Sequence, residues 1–203
     1  MTLDSLRPYI SGALRPFVNG FDRAGMTPNG VSVVAFAMAL AAAGAFYLGG
    51  VAEQWWYAVA ALAVLANGWL DVVDGALARK QAVASQAGDL LDHVLDRYAD
   101  VVIIAGLAAG IDAYPLGFAA VSGVLLTSYL GTQAQAVGLD RVYGGLVGRA
   151  DRLALIGLVG LLVVPLSGTY GGHGLVWWLL AFLAAVGHLT ALQRFYYAWT
   201  ALE

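Results

Sequence analysis

Cysteine is absent from this chain of 203 residues, which excludes disulfides, thiolate metal sites and cysteine nucleophiles. Charge is scarce: charged residues make up 11% of the chain, against about 25% in soluble domains. Hydrophobic residues make up 61%, and the mean hydropathy is +0.76. Such a chain belongs in a membrane. At roughly 20 to 25 residues per span plus short turns, there is room for about six transmembrane helices and no separate soluble domain. Asp4, Arg7, Arg15, Asp22 and Arg23 interrupt the opening residues where a signal peptide would need an apolar core, so no cleavable signal is expected. The formal charge of -3 matters less than where the charges sit.

The opening "LDSLRPYISGALRPFVNGFDRAG" alternates apolar and charged residues and contains Pro8 and Pro16, which suits a helix lying on the bilayer surface. Pro28 in "MTPNG" punctuates the turn that follows. Apolar runs then predict spans at 30–49, 55–79, 87–110, 114–137, 150–166 and 175–198. The expected fold is an all-α integral membrane protein, a single domain over 1–203, with an N-terminal amphipathic surface helix in 1–26 and a six-helix bundle in 27–203.

Basic residues test this segmentation, because cytoplasmic loops are enriched in Lys and Arg. With a cytoplasmic N-terminus, the inner segments hold Arg7, Arg15, Arg23, Arg79, Lys80, Arg141, Arg149, Arg152 and Arg194, with Arg97 in the inner half of the third span. The outer loops "LGGVAEQ", "GIDAYP" and "PLSGTYGGHG" hold none. The predicted location is the cell membrane, multi-pass, with both termini cytoplasmic. Trp55, Trp56, Tyr57, Tyr114, Tyr170, Trp177 and Trp178 gather near the outer ends, as an interfacial belt does, with ordinary packing as the competing reading of each. The 26 glycines suit close helix packing in lipid. No internal repeat or low-complexity tail is found.

Against this apolar background stands "DVVDGALARKQAVASQAGDLLDHVLD", residues 71–96. Asp71 and Asp74 are three apart near the end of the second span, and Gly88, Asp92 and Asp96 recur every fourth residue in the third, so each set shares a helix face. The short link "QAVASQ" makes the two spans an antiparallel pair whose acidic faces meet near the cytoplasmic edge. Like charges crowded at low dielectric must protonate or find a cation. Hard carboxylate oxygens suit Mg²⁺, Mn²⁺ or Ca²⁺ and poorly suit zinc or copper. Several aspartates can hold two ions close together, the arrangement used for in-line displacement at phosphorus. Gly75 and Gly88 allow a ligand close to the backbone, and Arg79 offers a planar fork to a phosphate. The competing reading pairs the acids with Arg79 and Arg97 as helix glue or makes them an ion path; glue alone does not need so many acids around glycines.

The pattern D-x-x-D-G-x-x-A-R, eight residues, G-x-x-x-D-x-x-x-D, met here by Asp71, Asp74, Gly75, Ala78, Arg79, Gly88, Asp92 and Asp96, resembles the signature of the CDP-alcohol phosphotransferases at all eight positions. The resemblance implies transfer of a phosphatidyl-type or archaetidyl-type group from a CDP-lipid to a polar alcohol, releasing CMP. It implies two divalent cations, Mg²⁺ or Mn²⁺, on Asp71, Asp74, Asp92 and Asp96, with Asp96 also the general base. It places the nucleotide against Gly75, Ala78, Arg79 and Gly88, and by the "TPN" before the first span against Asn29. Expected partners are the CDP-lipid donor, a polar alcohol acceptor, membrane lipid and a second copy in a homodimer, with no nucleic acid.

The acceptor is less plainly marked. "TSYLGTQAQAVGLDRVYGGLVGRADRL" partly resembles the region that supplies basic residues in inositol-phosphate-using members, with Arg149 and Arg152 in place of paired arginines. Gly131, Gln133 and Gln135 stand where charged residues are expected. The candidates for the acceptor are therefore Ser128, Gln133, Arg141, Arg149 and Arg152, with glycerol 3-phosphate or inositol phosphate as the acceptor class. Asp89 reads as a solvated first-turn acid favoured by the helix dipole. His93 reads as making a local hydrogen bond, Asp100 lies near the acidic stripe but outside the signature, and His173 and His188 carry no partner pattern. Two rivals remain at this point. A Mg-dependent intramembrane prenyltransferase needs a second acidic cluster, which is missing. A cation transporter would place its carboxylates near the midplane, often within repeated halves.

Overall fold

The computed structural model describes residues 7–140, 142 and 145–203, with the backbone alone for 7–11. Seven helices follow one another: α1 Arg7–Arg23, α2 Pro28–Val51, α3 Trp56–Gln81, α4 Gln86–Gly110, α5 Tyr114–Ala136, α6 Arg149–Val163 and α7 Leu175–Leu202. No strand is found among the described residues. Four of the helices, α2, α3, α5 and α7, are long and apolar enough to cross a bilayer. The protein is therefore an all-helical membrane protein. α4 has the length but carries the acids, and α6 has 15 residues, against about 20 for a full crossing. The fifth apolar run, expected over 150–166, stops as a helix at Val163, two residues before Pro165.

Local chemistry sets the helix ends near the acids. Thr27 caps α2 by accepting the Gly30 N–H at 3.1 Å, and Pro28 takes the first turn, where its missing N–H costs nothing. Ser85 caps α4 by accepting the Gly88 N–H at 3.1 Å, and Asp89 stands exposed in that first turn, as the dipole argument expects. Asp151 accepts the Gly148 N–H at 3.1 Å and starts α6. The acidic end of the bundle is thus built from three capped helix starts and from the C-terminus of α3, where Arg79 and Lys80 complement the dipole.

α2 packs on α3 and α4, α5 on α7 and α4, and α6 on α3 and α7. One core runs through all six, with Phe46, Val64, Ile103, Ile104, Leu107, Ile156 and Leu180 at its centre. Lipid tails are as apolar as leucine, so in the membrane close backbone approach, more than hydrophobicity, holds such a bundle. Glycine supplies that approach. A Cβ on Gly106 would lie 2.7 Å from the Cα of Ala43, and one on Gly187 would lie 2.9 Å from the backbone of Gly123. Gly106→Leu is expected to force α2 and α4 apart at a cost of about 3 kcal/mol. Thermal unfolding in detergent micelles checks this; a melting temperature equal to the parent's would contradict the packing account.

Tyr57 departs from the expected aromatic belt. It is buried in the core against Phe46, with ring centroids 6.2 Å apart, because Gly49 leaves room for its ring. Trp55, Tyr114, Tyr170 and Trp178 are exposed, and His173 stacks on Trp177 with centroids 3.9 Å apart. His188 lies at the α5–α7 seam, its Nε2 3.2 Å from the Ala119 carbonyl oxygen.

α1 forms despite its prolines, Pro8 falling in the first turn and Pro16 inside. It docks on α3. Leu14 and Val18 are buried with Val31, Val73 and Leu77, and Phe17 meets the Trp69 ring edge-on at 5.3 Å. Lys80 Nζ donates to Asn19 at 2.6 Å and pairs with Asp22 at 2.8 Å, while Gln81 Nε2 donates to Asp22 at 2.9 Å. The hydrogen bonds from Lys80 and Gln81 hold the Asp22 carboxyl below its ordinary pKa. This helix fixes the end of α3 that carries the signature.

Candidate active site

Asp71 and Asp74 project from the last three turns of α3, and Asp92 from the second turn of α4. The antiparallel pairing brings one carboxylate oxygen of each within 4.8 Å of the others. Asp74 is buried, and Ser32 Oγ from the second turn of α2 donates to its Oδ2 at 2.6 Å. That hydroxyl ties the buried carboxylate to α2. All donors in the cluster are hard carboxylate oxygens, which fits a divalent cation of the Mg²⁺ or Mn²⁺ kind.

Asp96, one turn further along α4, lies beside this group and faces arginine. Arg149, the first residue of α6, places Nη1 2.6 Å from Asp71 Oδ2 and Nη2 2.7 Å from Asp96 Oδ1, so one guanidinium bridges two signature acids. Its Nε points to Asp100 Oδ1 at 4.0 Å. Arg152 Nη2 donates to Asp100 Oδ2 at 2.7 Å, and Arg97 Nη2 lies 3.6 Å from both Asp96 Oδ2 and Asp100 Oδ2. An acid cluster and an arginine cluster therefore share a border, with Asp96 on it.

The residues expected at the nucleotide occupy the neighbouring rim. Asn29 reaches the start of α4, where a Cβ on Gly88 would lie 3.4 Å from its Oδ1. Gly75 faces the guanidinium of Arg79, 3.6 Å from where its Cβ would be, and Ala78 is half-buried beside them. Ser128 and Gln133 lie half-buried on the same end of α5. Arg141 lies outside the described residues. His93 Nδ1 is 3.8 Å from Asp92 Oδ2, an ion-pair separation longer than a hydrogen bond.

Sequence reasoning passed over Ser32, which stands one turn after Asn29 on the same face of α2 and in hindsight carried that signal. It also gave Arg194 no site. From α7, Arg194 donates to the Thr127 carbonyl at 2.7 Å and fills the space beside Gly131, where a Cβ would lie 2.7 Å from its Nη1. A guanidinium thus reaches the place on α5 where a charged side chain was expected and glycine stands. Nothing in the α7 sequence pattern marks it.

An all-helical membrane bundle with clustered aspartates at one end, arginines beside them and glycines at the rim defines a lipid-phosphate transferase. Residues 25–189 match the model of the CDP-alcohol phosphatidyltransferase family, and the chain belongs to that family. It is 29% identical to the archaetidylinositol phosphate synthase of Methanothermobacter thermautotrophicus, over 99% of this chain and 96% of that one. It is 35% identical to the phosphatidylinositol phosphate synthase of Mycolicibacterium smegmatis, over 89% of this chain and 81% of that one. The fold matches the phosphatidylinositol phosphate synthase of Mycobacterium tuberculosis in complex with manganese and citrate, with a TM-score of 0.76 and 25% identity, covering 92% of this chain and 89% of that one. The enzyme is a transferase of substituted phosphate groups in phospholipid synthesis, moving a phosphatidyl-type group from a CDP-lipid to an alcohol, and divalent cations are its cofactors. Family membership decides against the prenyl-transfer and transport readings.

Proposed function

We propose that the acceptor is a phosphorylated polyol, with inositol phosphate the first choice and glycerol 3-phosphate the second. The observation that carries this is Arg149, whose guanidinium reaches 2.7 Å from Asp96 and 2.6 Å from Asp71. A phosphate gripped there would bring a hydroxyl of the same molecule to Asp96. Arg152 beside it adds a second guanidinium, and the relatives named for inositol phosphate products support the choice.

In this reading Asp71, Asp74, Asp92 and Asp96 would hold two divalent cations, which would supply positive charge to the pyrophosphate and to the leaving CMP. Asn29, Gly75, Ala78, Arg79 and Gly88 seat the nucleotide, Arg79 by its planar fork. The Asp96 carboxylate takes the proton of the acceptor hydroxyl as that oxygen attacks the lipid-bearing phosphorus, and the bond from this phosphorus to CMP breaks. Ser128, Gln133, Arg141, Arg149 and Arg152 line the acceptor side. The chain is a single domain over 1–203, with α1 at the interface and the bundle of 27–203, α2 to α7, crossing the plasma membrane six times. The active site and both termini face the cytoplasm, and the enzyme works as a homodimer among membrane lipids. The one-sided arginines support that orientation.

The test offers labelled CDP-diacylglycerol or CDP-archaeol with inositol phosphate, glycerol 3-phosphate, inositol or serine in separate reactions. A phosphorylated head group on the lipid product is expected. Transfer to inositol or serine with none to the phosphorylated acceptors would overturn the proposal.

A further inference from the structure

The most deeply placed acid of the arginine cluster lies outside the signature. Asp100 stands one turn beyond Asp96 on α4 with its side chain 2% exposed. Taking a carboxylate out of water costs several kcal/mol unless its partners are well placed. Gluing α4 to α6 would need one arginine, yet three guanidiniums converge on this acid: Arg152 at 2.7 Å, Arg97 at 3.6 Å and Arg149 at 4.0 Å. Two of these cations also reach signature acids, Arg149 touching Asp71 and Asp96 and Arg97 lying 3.6 Å from Asp96, so Asp100 is the acid that ties the arginine cluster to the border of the acid cluster.

The hydrogen-bond inventory is also incomplete. Arg149 Nε, Arg152 Nε and Asp100 Oδ1 are buried with no hydrogen-bond partner among the described residues. Buried donors normally find acceptors, so these arginines retain capacity for an anion. Arg149 and Arg152 share one face of the first turn of α6, and both turn an edge toward Asp100. A guanidinium is a flat fork, and the acid that holds one edge sets the plane in which the remaining N–H groups point.

We propose that Asp100 is a positioning residue for the acceptor, holding Arg149 and Arg152 in the orientation that grips a phosphorylated alcohol beside Asp96. This rests on the reading of those arginines as the acceptor-phosphate site. Asp100 touches no substrate; it acts through the forks.

The test measures kcat and the separate KM values for inositol phosphate and CDP-lipid in full-length Asp100→Asn and Asp100→Glu, with thermal stability alongside. The glutamate variant keeps the charge and moves it by one methylene. In each, the acceptor KM is expected to rise by about tenfold while the donor KM stays within about twofold. A structural role alone would lower the active fraction and leave both KM values at parental levels, and that result overturns the proposal. If the asparagine variant does not fold, a parental acceptor KM in the glutamate variant overturns it equally. Failure of both to fold also counts against it, because the acid is then a folding residue. Arg152→Gln separates this from the reading beneath it: an unchanged acceptor KM there removes the acceptor site itself, while a raised one beside parental Asp100 variants removes only the positioning role.

Discussion

Asp96→Asn is expected to lower CMP release from a CDP-lipid by about a thousandfold or more, the upper part of the range for loss of a general base. The amide has nearly the same shape, so packing along α4 is preserved, but it accepts no proton from the attacking hydroxyl. Arg149 retains its Asp71 partner at 2.6 Å, which leaves the α3–α6 contact in place. The folded fraction and the melting temperature should therefore stay near those of the parent, while turnover collapses. CMP release by the purified variant reads the first, and size-exclusion chromatography with a thermal melt reads the second. Turnover within tenfold of the parent in the folded variant would reject Asp96 as the base.

The acids were legible in the sequence because their spacing obeys the helix. Asp71 and Asp74 share a face of α3, Asp92 and Asp96 share one of α4, and the Ser85 cap and the short link force the two faces together. Four of the spans, α2, α3, α5 and α7, were legible for the same reason, since length and hydropathy are local properties. What periodicity does not encode is the register between elements far apart in the chain. That Arg149 would lie between Asp71 and Asp96, 78 residues from the first of them, depends on how α6 slides against α3. Small residues set that slide: a Cβ on Gly157 would lie 2.8 Å from Leu65, and one on Gly160 would lie 2.9 Å from Ala61. Ser32 on Asp74, Arg194 beside Gly131 and the convergence on Asp100 were hidden in the same way. At Tyr57 the packing reading holds and the interfacial one does not. Its position near an outer end suited the interface, but the gap left by Gly49 on a neighbouring helix drew it inward.

Removal of divalent metal should stop turnover altogether, and Mn²⁺ or Mg²⁺ added back should restore it. Three carboxylates with oxygens within 4.8 Å of one another carry like charge in a region of low dielectric. Ser32 relieves Asp74 with one hydrogen bond and Arg149 relieves Asp71 with one ion pair, yet neither supplies the charge needed to accept a pyrophosphate at the same place. A cation that binds the folded site alone also stabilises it by mass action, by about 2.7 kcal/mol when present at a hundred times its dissociation constant. The melting temperature should accordingly climb with added Mn²⁺. Asp92→Asn should lose most of that climb while leaving the metal-free melt little changed, since Asp92 is a half-buried residue at the mouth of the cluster. Full turnover in excess chelator, or a melt indifferent to Mn²⁺ in the parent, would mean that the carboxylates serve some other charge than a metal's.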